Sequence, residues 1–390
     1  MTVAPPPAGI VHDDGSAEPA PDSPLSGRYD VALLDLDGVV YRGADPVPSA
    51  PEALVAVRHA GMRLAFVTNN ASRTPEQIVA HLDQLGVTAR PDEVVTSAQA
   101  AATLAAERLQ PGGRVFVVGS DGLREALREV GLPLVDRYDV APRPEMVVQG
   151  FSPDLTYEDL AQAALVVAAG AVWIATNVDA TLPTARGLQP GNGALVAAVA
   201  AAAGRQPLVA GKPERALFDE AVRRSSGRRP LMVGDRLDTD IAGAVRAAMD
   251  SLLVLTGVST VADLIRADAA ARPTYLAADL SGLAADLRPL ADYALLPVQR
   301  STGWQAESWP GTVRLTRTAS DRGDPLDGVR TLVVAAWAAA DAGHPVTSVL
   351  VPAGQAQPLV ALGVPPGLLQ QQDEDDTRSS SQRGEAHAGH

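Results

Sequence analysis

Short apolar runs recur along the chain at Val31–Leu34, Arg63–Val67, Val115–Val118, Met146–Val148, Val172–Ala175, Leu208–Ala210, Leu231–Val233 and Leu252–Leu255. Most lead into a polar or glycine-containing turn and then a stretch of helical composition. That alternation predicts βα units and a largely parallel sheet. The Ala-rich segments Ala100–Glu107 and Ala194–Ala203 favour helix, because Ala loses no side-chain entropy there. One helix start is well marked: Thr74-Pro75-Glu76-Gln77 offers an N-cap Thr, Pro at the first helical position and Gln two residues later. No repeat of solenoid period is present.

The alternation fails at both ends. Residues 1–27 and 370–390 are rich in Pro, Gly, Ser and charge, and both read as disordered tails. His387 and His390 are read as part of a solvated tail, not as metal ligands. The N-terminus has neither the basic nor the apolar region of a secretory signal. The best apolar run, Leu160–Ala175, contains Gln162 and Gly170 and is too short to span a membrane.

Composition narrows the chemistry. The chain has 390 residues, long enough for two or three folded units, and 46% are apolar but only 4% aromatic. It has no Cys, which removes disulfides, thiolate nucleophiles and Cys-bound metals and fits a cytoplasmic location. A net charge of −14 argues against nucleic acid, whose phosphates need Lys and Arg. An anionic substrate would therefore have to meet local positive charge or a metal ion.

In parallel sheets, ligands sit at the carboxyl ends of the strands. Four such ends carry polar groups. The first run ends in Asp35-Leu-Asp37-Gly38. Two acids at one strand end repel, and a hard cation such as Mg²⁺ relieves that, while Gly38 lets the backbone approach a phosphate closely. Taken alone, the two acids fit an ordinary turn equally well. The second run ends in Thr68-Asn69-Asn70, which supplies neutral donors but also suits a turn. The third ends in Gly211-Lys212-Pro213, where Lys212 could balance carboxylates and phosphate; a solvated lysine is the plainer alternative. The fourth is Gly234-Asp235-Arg-Leu-Asp238-Thr239-Asp240. Asp235 is placed as a metal ligand, Asp240 could cap a helix and still bond Lys212 or a metal-bound water, and Asp238 is expected to be exposed. Each motif is weak; four of them in this order at strand ends point to one site.

At these residues the sequence resembles the haloacid dehalogenase superfamily, in particular its 4-nitrophenylphosphatase, phosphoglycolate and glycerol-phosphate phosphatase branch. The likeness extends over about Tyr29 to Leu290 and includes DLDGVVYRG, VTNNASRTP, WIATNVDATLP, PGNGALVAAV, GKPERALFDEAV and GDRLDTDIAGA. It implies a Rossmann-like, doubly wound α/β core with an inserted α/β cap. It implies Asp35 as nucleophile and Asp37 as the acid and base that serves the leaving group and then water. Mg²⁺ would be held by Asp35, the Asp37 carbonyl and Asp235. Thr68, the Asn69 backbone and Lys212 would hold the phosphoryl group, with Gly38, Asn70, Gly234 and Asp240 in support. Arg73 is the candidate to face the cap, an exposed Arg near a helix start being the alternative. Asn177 and Asp179 are explained as well by a turn as by substrate contact.

The expected divisions are a core in two parts, 28–98 and 207–290, a cap at 99–206 and a small α/β extension at 291–369. In the extension, Thr331–Ala339 reads as helix or buried strand, Thr347–Val351 as a strand, and Trp304 and Trp309 as core residues. The extension resembles part of an acetyltransferase fold, but Pro352-Ala-Gly-Gln-Ala-Gln matches a pyrophosphate loop poorly, so a structural or dimerising role ranks above a second activity. The implied substrate is a small phosphorylated metabolite, with glycerol 3-phosphate or phosphoglycolate first. A mutase, a nucleotide phosphatase, a bifunctional acyltransferase and a non-catalytic scaffold are the alternatives.

Overall fold

The computed structural model describes residues 23–137, 143–184, 186–294, 303–317, 324–352 and 354–372. Six parallel strands form the first sheet, in the order Tyr275–Ala277, Asp250–Val254, Pro230–Gly234, Val31–Leu34, Arg63–Thr68, Val94–Thr96. The chain lays strands to one side of Val31–Leu34 and later returns to fill the other. Strand order therefore reverses at Val31–Leu34, the kind of switch point at which α/β sheets bind ligands.

Packing explains the apolar runs. Ala32 and Leu34 enter a cluster with Leu64, Phe66, Leu231 and Val233. Val31 and Leu33 point the other way, into a cluster with Ala65, Val67 and Met232. A strand covered on both faces needs no polar alternation. Val94–Thr96 and Tyr275–Ala277, absent from the strands expected from sequence, are the two sheet edges and have three residues each, too few to make a periodic signal.

The second sheet has five parallel strands, in the order Leu208–Val209, Val172–Ala175, Met146–Gln149, Val115–Val118, Leu134–Val135. Phe116, Val118, Val147 and Trp173 pack under the helices Tyr157–Ala168 and Asn192–Ala203. Val115, Val117, Met146, Val148 and Ile174 on the opposite face join the core cluster through Ala98, Ala101, Ala102 and Ala105 of the helix Ser97–Arg108. Alanine suits a helix between two sheets, having high propensity and little bulk. Leu208–Val209 pairs with Ile174 and Ala175, so the chain rejoins the strand ends of the first sheet only at Lys212.

The extension forms a four-stranded sheet, in the order Trp304–Trp309, Thr312–Arg317, Ser348–Pro352, Leu369–Gln372, antiparallel in its first pair and parallel thereafter. Thr331–Ala339 is helical, lying within Pro325–Asp341. This helix docks the extension: Val329, Leu332, Val333 and Trp337 share a cluster with Leu253, Leu264, Ile265 and Leu276 of the core. Trp337 Nε1 donates to the Leu264 carbonyl at 2.8 Å, and Arg330 donates twice to the Leu276 carbonyl, at 2.7 and 3.1 Å. Of the two tryptophans expected in a core, Trp304 is buried, but Trp309 is 41% exposed beneath the Arg314 guanidinium. A hairpin strand buries one face only.

Parts of both segments expected to be tails are ordered elements. Leu25–Arg28 is helical, with Leu25 fully buried and its N–H donating to the Ala285 carbonyl at 3.1 Å. Leu369–Gln372 continues past residue 369 as a paired strand. One buried leucine and one strand partner outweigh polar composition there. His387 and His390 lie outside the described residues. Among those described, no helix is long and apolar enough to cross a membrane.

Candidate active site

Three neighbouring strands of the first sheet end together. Leu34 lies beside Val233 and Phe66, and Asp35 N–H continues the pairing to the Val233 carbonyl at 2.9 Å. Register therefore sets Asp35 level with Val67 and Gly234, and Thr68 and Asp235 follow one residue further on at the same end of the sheet. Lys212 arrives from the second sheet. Its Nζ lies 2.6 Å from Asp35 Oδ1 and 2.7 Å from Asp240 Oδ1, and its side chain is 3% exposed. Burial would push the Lys212 ammonium down, but the carboxylates of Asp240 and Asp35 outweigh burial and hold its pKa above the ordinary range. Lys212 is thus a fixed positive charge in the working pH range.

Asp35, Asp235 and Asp240 each turn one oxygen into a common space, within 4.8 Å of one another. Asp235 Oδ2 accepts the Val258 N–H at 2.6 Å, while Asp235 Oδ1 is buried without a hydrogen-bond partner among the described residues. Burial, then the charges of Asp240 and Asp35, raise the Asp235 carboxyl pKa. A buried, unpartnered carboxylate oxygen facing other carboxylates is costly, and a small cation removes the cost. The donors are all oxygen, as Mg²⁺ prefers. The residues therefore fit such an ion.

Glycines make room for these acids. Gly38 has φ +88°, and a Cβ on it would lie 2.5 Å from Asp235 Oδ2. A Cβ on Gly234 would lie 2.2 Å from the Asp240 Cβ. Asp240 does not cap the following helix: its Oδ2 accepts the Asp235 and Arg236 N–H groups at 3.2 and 3.1 Å, folding the loop back on itself. Asp238 is exposed and paired with Arg236, as expected.

The remaining residues expected at the site divide. Thr68 is buried and its hydroxyl oxygen accepts the Asn70 N–H at 3.1 Å, which leaves the hydroxyl hydrogen to donate forward. The Asn70 side chain is a turn former, accepting the Ser72 N–H and hydroxyl at 2.8 Å each. The Asp37 carboxylate stays outside the buried acidic cluster, on the exposed side of the strand end. Arg73 is exposed, and its backbone meets the cap: a Cβ on Gly122 would lie 2.8 Å from the Arg73 carbonyl.

Two groups at the site were not expected from the sequence, and a third does more than the turn expected of it. The turn after Asp250–Val254 cradles Asp235: Val258 donates to it, a Cβ on Gly257 would lie 1.9 Å from Asp235 Oδ2, and Thr256 Oγ1 donates to the Gly38 carbonyl at 2.6 Å. Its signal was Thr256-Gly257 at another carboxyl end of the same sheet. Tyr41 lies close enough to the site that burial, then Asp37 and Asp35, push its phenol up to about 12. Asn177 and Asp179 do form a turn, Asp179 N–H donating to Asn177 Oδ1 at 3.2 Å, but they also bond to Asn69. The PGNG segment backs them: a Cβ on Gly193 would lie 2.2 Å from the Val178 carbonyl, and Asn192 donates to the Asn177 carbonyl at 2.7 Å.

A haloacid dehalogenase-like hydrolase model matches residues 32–133, a HAD-hydrolase-like model residues 209–283, and a GCN5-related N-acetyltransferase-like model residues 301–357. The chain is 45% identical over 320 residues to a D-glycerol 3-phosphate phosphatase of Mycobacterium tuberculosis, covering 81% of this chain and 88% of that protein. It is 38% identical to an acid sugar phosphatase of Staphylococcus aureus, covering 67% of this chain and 98% of the relative. The crystal structure of a glycerol phosphate phosphatase from M. tuberculosis in complex with magnesium superposes with TM-score 0.76 at 42% identity, covering 93% of this chain and 98% of that one. A 4-nitrophenylphosphatase from Thermotoga maritima superposes with TM-score 0.61 at 33% identity, covering 67% and 98%.

Proposed function

Since the chain belongs to the haloacid dehalogenase-like hydrolases, and is a Mg²⁺-dependent phosphatase of small phosphate esters, we propose that its substrate is glycerol 3-phosphate or a close polyol or short-acid phosphate. The observation that carries the reading is the Lys212 ammonium held between Asp35 and Asp240, beside the unpartnered Asp235 oxygen. The M. tuberculosis and S. aureus relatives, named for glycerol phosphate and for acid sugars, support a small polar leaving group.

The proposed roles follow from position. An Asp35 oxygen attacks phosphorus; as the Asp35–phosphorus bond forms, the bond to the leaving oxygen breaks, and Asp37 gives that oxygen its proton. Water then attacks the aspartyl-phosphate, Asp37 takes the water's proton, and Asp35 departs as a carboxylate. Thr68, the Asn69 backbone and Lys212 hold the phosphoryl oxygens. Asp35, the Asp37 carbonyl and Asp235 would hold Mg²⁺, which when bound neutralises charge among the carboxylates and the phosphoryl group. Asp240 keeps Lys212 in place and Arg73 meets the cap. Uncatalysed phosphate monoester hydrolysis is among the slowest reactions known, so this concentration of charge is what the chemistry demands.

The reading also places the enzyme in the cytoplasm, where small phosphorylated metabolites are retained, and allows copies to associate through the cap or the extension; sedimentation tests the latter. The substrate is tested by inorganic phosphate release from a panel of monoesters with Mg²⁺. Glycerol 3-phosphate or phosphoglycolate ranking first supports the proposal; a nucleotide ranking first refutes it.

A further inference from the structure

The Asn69 side chain occupies an unusual position for a residue beside a phosphate site: the protein itself uses its whole amide. Its Oδ1 accepts the Lys212 N–H at 2.8 Å. Its Nδ2 donates to the Lys212 carbonyl at 3.1 Å and to the Asp179 carboxylate at 3.2 and 3.4 Å. Its backbone carbonyl accepts Asn177 Nδ2 at 2.8 Å and Ser97 Oγ at 2.6 Å. With both amide hydrogens and the amide oxygen engaged, the side chain has no donor left for a substrate.

These bonds join two bodies at the point where the chain passes between them. Asp179 and Asn177 follow the strand Val172–Ala175 of the second sheet, and Asn69 follows the strand Arg63–Thr68 of the first. Lys212 lies just beyond Leu208–Val209, the last strand of the second sheet. Gly211 is wedged in this crossing: a Cβ on it would lie 2.6 Å from both Asn69 Oδ1 and the Thr176 carbonyl. Lys212 is therefore at once the crossing residue and the cation that pairs with Asp35.

We propose that Asn69 and Asp179 are positioning residues that tie the placement of the Lys212 ammonium over Asp35 to the placement of the cap. Asp179 fixes the Asn69 amide plane; the amide clamps the Lys212 backbone at both its N–H and its carbonyl; the clamped backbone sets where Nζ falls. A displacement that draws Asp179 away would leave one of the two amide hydrogens without its partner and loosen the clamp. Phosphoryl transfer would then proceed at full rate only under a seated cap, which gives the cap a means of linking leaving-group recognition to the reacting centre.

This inference rests on the phosphatase reading, and its test separates the two. Asp179→Ser keeps a polar turn residue but falls short of Asn69, whereas Asp179→Asn keeps an acceptor of the same length. Phosphate release and hydrogen–deuterium exchange at the Lys212 amide are measured on both variants with Mg²⁺ present. A charged hydrogen bond lost at the clamp should cost D179S about tenfold in kcat/KM, chiefly through kcat, and speed Lys212 exchange by about the same factor. D179N should restore both to within about threefold. Unchanged exchange at Lys212 in D179S overturns the proposal, whatever the activity, as does a kcat equal to that of the native chain. If the native chain released no phosphate from any ester, the phosphatase reading would fall, while the exchange measurement would still judge the clamp.

Discussion

Two buried polar assemblies in this molecule meet opposite ends. On the docking helix of the extension, the Trp337 indole and the Arg330 guanidinium are directed at backbone carbonyls of the core, and Arg330 is further neutralised by Asp327 at 2.6 Å. At the ends of the first sheet's strands, three carboxylates and one ammonium converge, and an oxygen of Asp235 has no hydrogen-bond partner among the described residues. The first arrangement is closed: the bonds from Trp337 and Arg330 to the core carbonyls hold one element against another, and Asp327, one turn before Arg330 on the same helix, balances its charge. The second is open, and in a native protein an open buried site is maintained because something else completes it. The same polar chemistry thus separates attachment from function by whether its groups are satisfied.

That contrast can be broken or sharpened by substitution. Asp35→Asn should reduce phosphate release to background, a loss of more than about 10³-fold, because the nucleophile is gone while the fold is kept. Chelation with EDTA should abolish release and added Mg²⁺ restore it. Asp235→Asn should raise the Mg²⁺ concentration for half-maximal activity by about 10–100-fold, read from a metal titration. If Asp235→Asn titrated like the native chain, the assignment of the open oxygen to a cation would be lost.

Smaller effects are expected on the closed side. Trp337→Ala should cost about 3–5 kcal/mol of stability, seen as a lower midpoint in thermal or denaturant unfolding, with kcat unchanged at low temperature. Trp337→Phe, which removes the N–H to Leu264 and part of the indole's bulk but keeps an aromatic ring, should cost less, about 2–3 kcal/mol. A fall in kcat without a fall in stability would show that the extension does more than attach. Smallest is Thr74→Ala. It removes a capping box in which Gln77 N–H donates to Thr74 Oγ1 at 3.4 Å and Thr74 N–H to Gln77 Oε1 at 3.0 Å. The loss should be about 1 kcal/mol.

Much of this was legible in the chain itself. Strands buried on both faces appear as continuous apolar runs, so Val31–Leu34 and its neighbours could be located, and the acids and amides that follow them could be read as strand-end chemistry. The Thr74 cap is a local signal between residues three apart, and it survived folding unchanged. The edge strands Val94–Thr96 and Tyr275–Ala277 were too short to carry a period, and Leu25 was lost in a polar tail because its burial depends on a distant partner, the Ala285 carbonyl.

The sequence by itself determined the longer buried strands, the identity of the charged groups at their ends and the glycines beside them, because each depends on properties of residues close along the chain. Which strands share a sheet, that Leu208–Val209 belongs to the second one, that Asp240 bonds backward to the Asp235 and Arg236 amides, and that Asn69 spends its side chain on Lys212 and Asp179 were decided only in three dimensions. Those facts join groups distant along the chain, Leu208 to Ile174 in one case and Asn69 to Asp179 and Lys212 in another, or depend on the direction in which one buried side chain turns. A hydrogen bond of that kind is chosen by the packing around it, and no local pattern records the choice.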